Sequence, residues 1–322
     1  MRSKPFSIAM IGECMIELQE KGDGNITLTF GGDTFNTAAY MARLGRDMGR
    51  FVHYVSAVGD DPFSQDMAAF WAAQGVDHSL VMRRPGRRPG LYFIKLDPSG
   101  ERHFYYWRGE AAVRECFECP GSDELLESLG RFSAIYLSGI SLAVLRQPSR
   151  ERLVKRLAEL AGQGVSVYFD CNYRPLLWED VPTTRSYYER LFAISTCVLV
   201  TVEELAVLGL EASHQAAVTH FSTLPRLEVV VKDGANPCTI IAKGQHWTVP
   251  GVRVEKVVDT TAAGDSFSAT YLLGRALGLE PEEAAKRAHQ VAAAVVLHRG
   301  AIIPPEATPQ VFLAEVQREL QQ

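Results

Sequence analysis

The sequence predicts an α/β protein that carries a small β-sheet lid. Three observations lead there. From Ser133 onward, short apolar strands alternate with amphipathic helices. Residues 91–107 read as a hairpin whose charged and aromatic mixture does not suit a main core. The chain has 322 residues, 47% hydrophobic and 22% charged, enough for one large α/β domain with a substantial core. The net charge of −5 gives no basic excess of the kind nucleic-acid binders carry. No run reaches the roughly 18–20 apolar residues of a membrane span. The start, MRSKPFSIAMIGE, enters a strand without the apolar stretch of a signal peptide. Cys116 and Cys119 have CxxC spacing, but no second pair or histidine completes a zinc site. The six cysteines are expected to be reduced, in a cytoplasmic protein.

Residues 7–13 are an apolar strand closed by Gly12-Glu13, and 15–18 continue it. Glu17 reads as solvated surface or a lid-edge residue. Residues 18–30 are polar and glycine-rich, ending in a short alternating strand at 26–30. Gly31-Gly32 precede a helix capped by Asp33 or Thr34 and ended by Gly45. Two glycines let a ligand approach the backbone, and Asp33 and Asn36 share one face of the helix start. Such a pair offers vicinal hydroxyls both a donor and acceptors; capping in a tight turn is the simpler alternative. Residues 51–58 form the next strand. Residues 63–74 form a helix with Phe63, Met67, Phe70 and Trp71 as its apolar stripe, stopped by Gly75. The basic loop at 83–89 reads as solvated surface. The hairpin strands are 91–96 and 102–107, turned by Asp97-Pro98-Ser99-Gly100, and join residues 18–30 as the lid. Tyr92 and Tyr106 bring hydroxyls on rigid rings. Arg108 can clamp a carboxylate bidentately, unless it pairs with an acid such as Glu110.

The second half continues with strand 134–137, helix 149–160 and strand 165–170, ending in Cys171-Asn172-Tyr173-Arg174-Pro175. Open α/β sheets place ligands at the C-terminal ends of strands. Arg174 is therefore a second carboxylate-binding candidate, or a brace for its loop. Strand 197–200 leads into Thr201-Val202-Glu203-Glu204 and a helix with Leu205 and Leu208. Either glutamate can cap that helix, and a carboxylate here can order Mg²⁺ through water. Strand 227–232 ends at Lys232, which suits a phosphate or is a surface charge. Asp233-Gly234 turns the chain into strand 238–242. In residues 257–278, VVDTTAAGDSFSATYLLGRALG, small residues feed a helix with Gly264 and Asp265 in its first turn and Gly278 as its stop. Backbone N–H groups there can hold phosphate oxygens, and Asp265 can orient and deprotonate an alcohol. Capping of the helix is the alternative. Residues 281–297 are an alanine-rich helix carrying His289, which is either structural or packed against adenine. A final helix at 308–320 is expected to cover the sheet.

DTTAAGDSF resembles the signature of the ribokinase-like sugar kinases, the PfkB carbohydrate kinase family, whose more usual form is DTTGAGD. Ala262 stands where that form has its first glycine. Gly31-Gly32-Asp33-Thr34-Phe35-Asn36 resembles the family's other signature, in the expected order, and the resemblance spans residues 7–303. It implies a three-layer α/β/α domain over 1–322 with a mainly parallel central sheet. The β lid would come from about 16–33 and 87–110, and the ATP-binding half from about 195–310. It implies Asp265 as the catalytic base and Ala262, Ala263 and Gly264 as the anion hole. Gly32, Asp33, Asn36, Tyr92, Tyr106, Arg108 and Arg174 would bind substrate. On the nucleotide side it implies Asn172, Thr201, Glu204, Lys232, Gly234, Ala263, Gly264 and His289. The family's Asn-x-x-Glu appears as Thr201-Val202-Glu203-Glu204, which keeps Glu204 as the group that would order Mg²⁺ through water. Its Lys-x-Gly appears as Lys232-Asp233-Gly234.

The implied reaction is phosphoryl transfer from ATP, with Mg²⁺, to a sugar hydroxyl; a monovalent cation such as K⁺ belongs to the same expectation. NYRPLLW resembles the sugar-acid kinases and some fructokinases of the superfamily. Two candidate arginines point to a small sugar acid, because fructose or ribose has no carboxylate to neutralise. Fructokinase or another ketose kinase is the alternative. No GxxxxGK[ST] and no GxGxxG after the first strand occurs, which argues against P-loop and dinucleotide-binding enzymes. A sugar- or nucleotide-binding protein without turnover is disfavoured by the intact Asp265 turn. The resemblance also implies a homo-oligomer, at least a dimer through the lid, whose sheet has edges to cover.

Overall fold

The computed structural model describes residues 5–20, 24–97 and 102–320. Pro98, Ser99 and Gly100 of the expected hairpin turn lie outside the described residues. The chain opens with β1 (Ile8–Ile11), β2 (Met15–Glu20) and β3 (Ile26–Gly31), then α1 (Asp33–Leu44). There follow β4 (Val52–Val58), α2 (Pro62–Ala73), β5 (Asp77–Arg83) and the hairpin β6 (Leu91–Leu96) and β7 (Arg102–Trp107). After α3 (Ser122–Ser128) come β8 (Ala134–Ser138), α4 (Gly139–Val144), α5 (Gln147–Gly162), β9 (Ser166–Asp170) and α6 (Val181–Ile194). The last third runs β10 (Cys197–Thr201), α7 (His214–Phe221), β11 (Glu228–Lys232), β12 (Cys238–Ala242), β13 (Gln245–Val249), α8 (Ala263–Ala276), α9 (Pro281–Val295) and α10 (Leu313–Leu320).

Two sheets form among the described residues. The larger has the order β13-β12-β11-β10-β9-β8-β1-β4-β5. From β11 to β5 every neighbouring pair is parallel; β12 and β13 are antiparallel additions at one edge. The smaller has the order β3-β2-β6-β7 and is built from the segments expected to form the lid.

Alternation along β1 shows the layering. Ile8 and Met10 pack in one apolar cluster with residues of α1, α8 and α9, while Ala9 and Ile11 pack in another with residues of α5, α6 and α7. A parallel sheet covered on both faces needs strands with apolar interiors, as in all of β1, in Ala134–Leu137 of β8 and in Val229–Val231 of β11. The order reverses at β1: the chain moves outward through β4 and β5, then returns to β8 on the other side. Such a reversal opens a crevice at the strands' C-terminal ends. Gly12-Glu13, Ser138-Gly139 and the 171–174 segment all lie at that end.

Three expectations change. Asp33 and Thr34 do not cap α1: Gly32 is the N-cap and makes no side-chain bond, and Asp33 is turned to another partner. The last helix begins at Leu313 rather than 308, and α10 packs against the short helix of Arg46–Met48. The basic loop is not merely solvated, because Arg84 and Arg87 both pair with the half-buried Glu115. All six cysteines are free and buried, as expected of reduced thiols.

Candidate active site

Asp265 lies in the first turn of α8, whose N-cap Ala262 has a left-handed backbone (φ 59°). That turn spends the Ala263 N–H on the Thr260 carbonyl at 3.2 Å. Among the described residues, the Gly264 and Asp265 N–H groups carry no hydrogen bond. Of the three residues expected to form the anion hole, Ala262, Ala263 and Gly264, Ala263 thus has its N–H engaged within the turn, while those of Gly264 and, one residue on, Asp265 are open. At the far end Gly278 (φ 82°) gives a Schellman stop, with Leu279 N–H on the Gly274 carbonyl and Gly278 N–H on that of Arg275.

The two signatures meet. Asn36 Nδ2 donates to Asp265 Oδ2 at 2.8 Å, across 229 residues of chain. Asn36 Oδ1 is buried and has no partner, so an acceptor is left over beside the carboxylate. Burial first, and the charge of Asp33 second, push the Asp265 carboxyl up to about 7; the Asn36 bond and Lys232 oppose them. Gly32 sits where a Cβ would lie 2.2 Å from the Glu13 carbonyl oxygen, so α1 can start this close to β1 only without a side chain. Asn172, expected on the nucleotide side, donates to Asp33 Oδ2 at 2.8 Å, which sets it beside a residue expected on the substrate side.

Beside the α8 turn, Lys232 at the end of β11 donates to both Asp170 oxygens, at 3.1 and 2.9 Å, and to Ser268 Oγ at 3.3 Å. Burial alone would lower the lysine's pKa, but Asp170 and then Glu204 raise it overall, so it stays a cation. Its Nζ would lie 3.9 Å from a Cβ at Gly264, which places the ammonium next to the free N–H groups. Asp170 and Ser268 were not singled out from sequence. The signal was there for Asp170, a carboxylate closing an otherwise apolar strand.

Glu204 is buried, and its two oxygens accept from the backbone N–H groups of Tyr173 (2.6 Å) and Thr201 (2.8 Å). Thr201 Oγ1 accepts from the Glu204 N–H at 3.3 Å. Glu204 therefore ties the 171–174 loop to the end of β10. Gly234 is in the tight turn between β11 and β12 (φ 54°). His289 is buried edge-on against Phe267 at 5.0 Å, between α9 and α8; burial lowers its pKa and keeps it neutral. That contact is of the kind the structural one of its two expected roles requires.

The lid side differs most from expectation. Arg108 Nη2 donates to Glu13 Oε2, so its acid is Glu13 and not Glu110. Tyr92 is buried, and its hydroxyl donates to Glu17, which is itself buried rather than solvated. Tyr106 is exposed, with the Arg108 guanidinium 5.8 Å from its ring centroid, and the charge of Arg174 reaches the same phenol. Arg174 is exposed and donates to the Tyr173 carbonyl at 2.9 Å. Arg108 thus contacts the Tyr106 ring, and Arg174 acts on it through its charge.

A doubly covered, mainly parallel sheet with a second β sheet tied to it by Glu13–Arg108, and a helix start with open N–H groups beside the partly buried Asp265, define the ribokinase-like α/β/α class. The comparisons agree. The pattern of the pfkB family carbohydrate kinases matches residues 6–308, and the chain belongs to that family. It is 45% identical to the 2-dehydro-3-deoxygluconokinase of Dickeya dadantii, covering 94% of this chain and 98% of that protein. It is 46% identical to the 2-dehydro-3-deoxygluconokinase of Escherichia coli K12, with the same coverage. Among solved structures, the fructokinase of Xylella fastidiosa with bound ATP superposes with a TM-score of 0.78 at 25% identity, covering 98% of each chain.

Proposed function

We propose that the protein phosphorylates 2-keto-3-deoxy-D-gluconate on its 6-hydroxyl, giving 2-keto-3-deoxy-6-phosphogluconate and ADP. The observation that carries this is the 45–46% identity, over nearly full length, to two 2-dehydro-3-deoxygluconokinases. The lid side supports it, because the Arg108 guanidinium lies over the Tyr106 ring and the charge of Arg174 reaches the same phenol, two cations suited to a substrate carboxylate.

In this reading Asp265 takes the proton of the 6-hydroxyl as that oxygen attacks the γ-phosphorus of ATP, the bond to the bridging oxygen breaks, and ADP leaves. The Gly264 and Asp265 N–H groups and the Lys232 ammonium stabilise charge on the transferring group. Asp33 and Asn36 hold the sugar's other hydroxyls, and Asn172 orients Asp33. Among the described residues no group of three or more His, Cys, Asp or Glu side chains could hold a metal ion. Mg²⁺ would be carried by the nucleotide's phosphates, with Glu204 reaching it through water. The ion would neutralise phosphate charge. Dependence on a monovalent cation such as K⁺ belongs to the same proposal and is tested by titrating K⁺ into the assay.

Fructokinase remains the second reading, favoured by the likeness to the Xylella fastidiosa enzyme. ADP release with MgATP and a panel of 2-keto-3-deoxygluconate, 2-keto-gluconate, fructose and ribose decides between them. Turnover favouring the 3-deoxy sugar acid supports the proposal; fructose winning by a wide margin replaces it. A cytoplasmic location is part of the proposal; among the described residues no helix is long and apolar enough to cross a membrane. So is a homodimer through the lid, which exposes Ile26, Leu28, Phe104 and Trp107. Sedimentation of the purified enzyme checks the dimer.

A further inference from the structure

We infer that Glu13 is a positioning residue for substrate recognition: it pins one end of the Arg108 guanidinium so that the other end faces the substrate's carboxylate. The inference deepens the sugar-acid reading and rests on it.

Glu13 follows β1 at the crevice and is 4% exposed; Arg108 follows β7 of the other sheet. The pair therefore joins the two sheets at the mouth of the site. The guanidinium is engaged asymmetrically. Nη2 donates to Glu13 Oε2, Nε is buried without a partner, and Nη1 carries no hydrogen bond among the described residues. Nη1 is the donor left for an incoming carboxylate. The ring of Tyr106 supports the guanidinium from one side.

Space for this arrangement is specific. A Cβ at Gly90 would lie 2.5 Å from Glu13 Oε1 and 3.1 Å from Arg108 Cβ, so any side chain there would drive the pair apart. Burial first raises the Glu13 carboxyl's pKa, helped by Asp33, while Arg108 and then Arg114 oppose the rise, so two guanidinium charges act on this one acid. A long arginine held in advance loses less freedom when the substrate binds, which is how an internal acid can raise affinity for an external one. A neutral ketose has nothing for Nη1 to meet, so the device acts on acids alone.

The test is steady-state kinetics of the full-length enzyme with 2-keto-3-deoxygluconate. In Glu13→Gln, which fills the same space without the charge, KM for the sugar acid should rise roughly 10- to 100-fold. The value of kcat and KM for MgATP should stay within about threefold, a split that a general loss of structure would not give. In an Arg108→Ala background the same substitution should add nothing. An unchanged KM in Glu13→Gln, or additive effects in the double variant, overturns the inference. If Glu13→Gln does not fold, as judged by circular dichroism, Gly90→Ala crowds the same carboxylate from the other side. The same rise in KM is then required, and its absence is equally fatal. A wild-type enzyme that prefers fructose refutes the underlying reading and this inference with it. A wild-type enzyme that takes the sugar acid while Glu13→Gln is silent refutes only this one.

Discussion

Replacing Asp265 by Asn should stabilise the protein while removing its activity. The carboxyl is pushed up from an ordinary 3.8 to about 7, chiefly by burial and then by Asp33. A folded-state rise of about three pH units corresponds to about 4 kcal/mol of cost for holding the ionised form. Asp265 is only partly buried and still meets water in the crevice, which screens part of that cost. The neutral amide also makes a weaker bond to Asn36. About 2 kcal/mol of stabilisation is the expected net at pH 8. For 322 residues this is roughly a 3 °C rise in Tm. The sign has a pH signature. Below about pH 4 the acid is protonated in both folded and unfolded chains and costs nothing. Between about 4 and 7 the unfolded chain loses its proton first, so the wild type loses stability as pH rises. The advantage of Asp265→Asn should therefore be near zero at pH 4, grow through pH 5 and 6, and level off above 7. Paired thermal melts at these pH values measure it, beside an ADP-release assay expected to fall at least 10³-fold. A variant destabilised by the same amount at every pH would mean that Asp265 is an ordinary helix-terminal acid, and the argument for a strained base would fail.

Four further outcomes follow from the same geometry. The pH profile of kcat/KM should fall about tenfold per unit below pH 7 as Asp265 protonates. Asp170→Asn should move that limb to lower pH, because a charge that raises the Asp265 pKa is gone, and should cut kcat roughly 10- to 100-fold by releasing Lys232. Ala262→Gly should raise stability by about 1 kcal/mol in urea unfolding, since an alanine at φ 59° pays for a left-handed turn that glycine adopts freely. Gly32→Ala should cost about 3 kcal/mol or more in the same measurement, because a Cβ 2.2 Å from the Glu13 carbonyl forces two backbones apart and no side chain can yield.

The parts of this molecule legible in its sequence are those whose information is local. The helix start at Asp265 shows itself in consecutive small residues, and the buried strands in unbroken apolar runs. Strand β5 and helix α6 escaped that reading. β5 is half-buried and mixed in character, and α6 follows a Trp-bearing loop that hides its start. The site divides in the same way. Asn36 and Asp265 were singled out separately, yet only the fold shows that they are bonded to each other. Arg108 was identified as a carboxylate ligand with Glu110 as its rival, because Glu110 is its near neighbour in sequence. The chosen partner is 95 residues away, reached through the gap left by Gly90. Lys232 likewise finds Asp170 across 62 residues and between two strands that do not touch, β10 lying between them. A charged side chain in a sequence announces what it could bind, but not which of its donors an internal partner already holds. For Arg108 the proposal turns on that distinction: a free guanidinium would grip any anion, while one pinned by Glu13 would present a single end and so select by position as well as by charge.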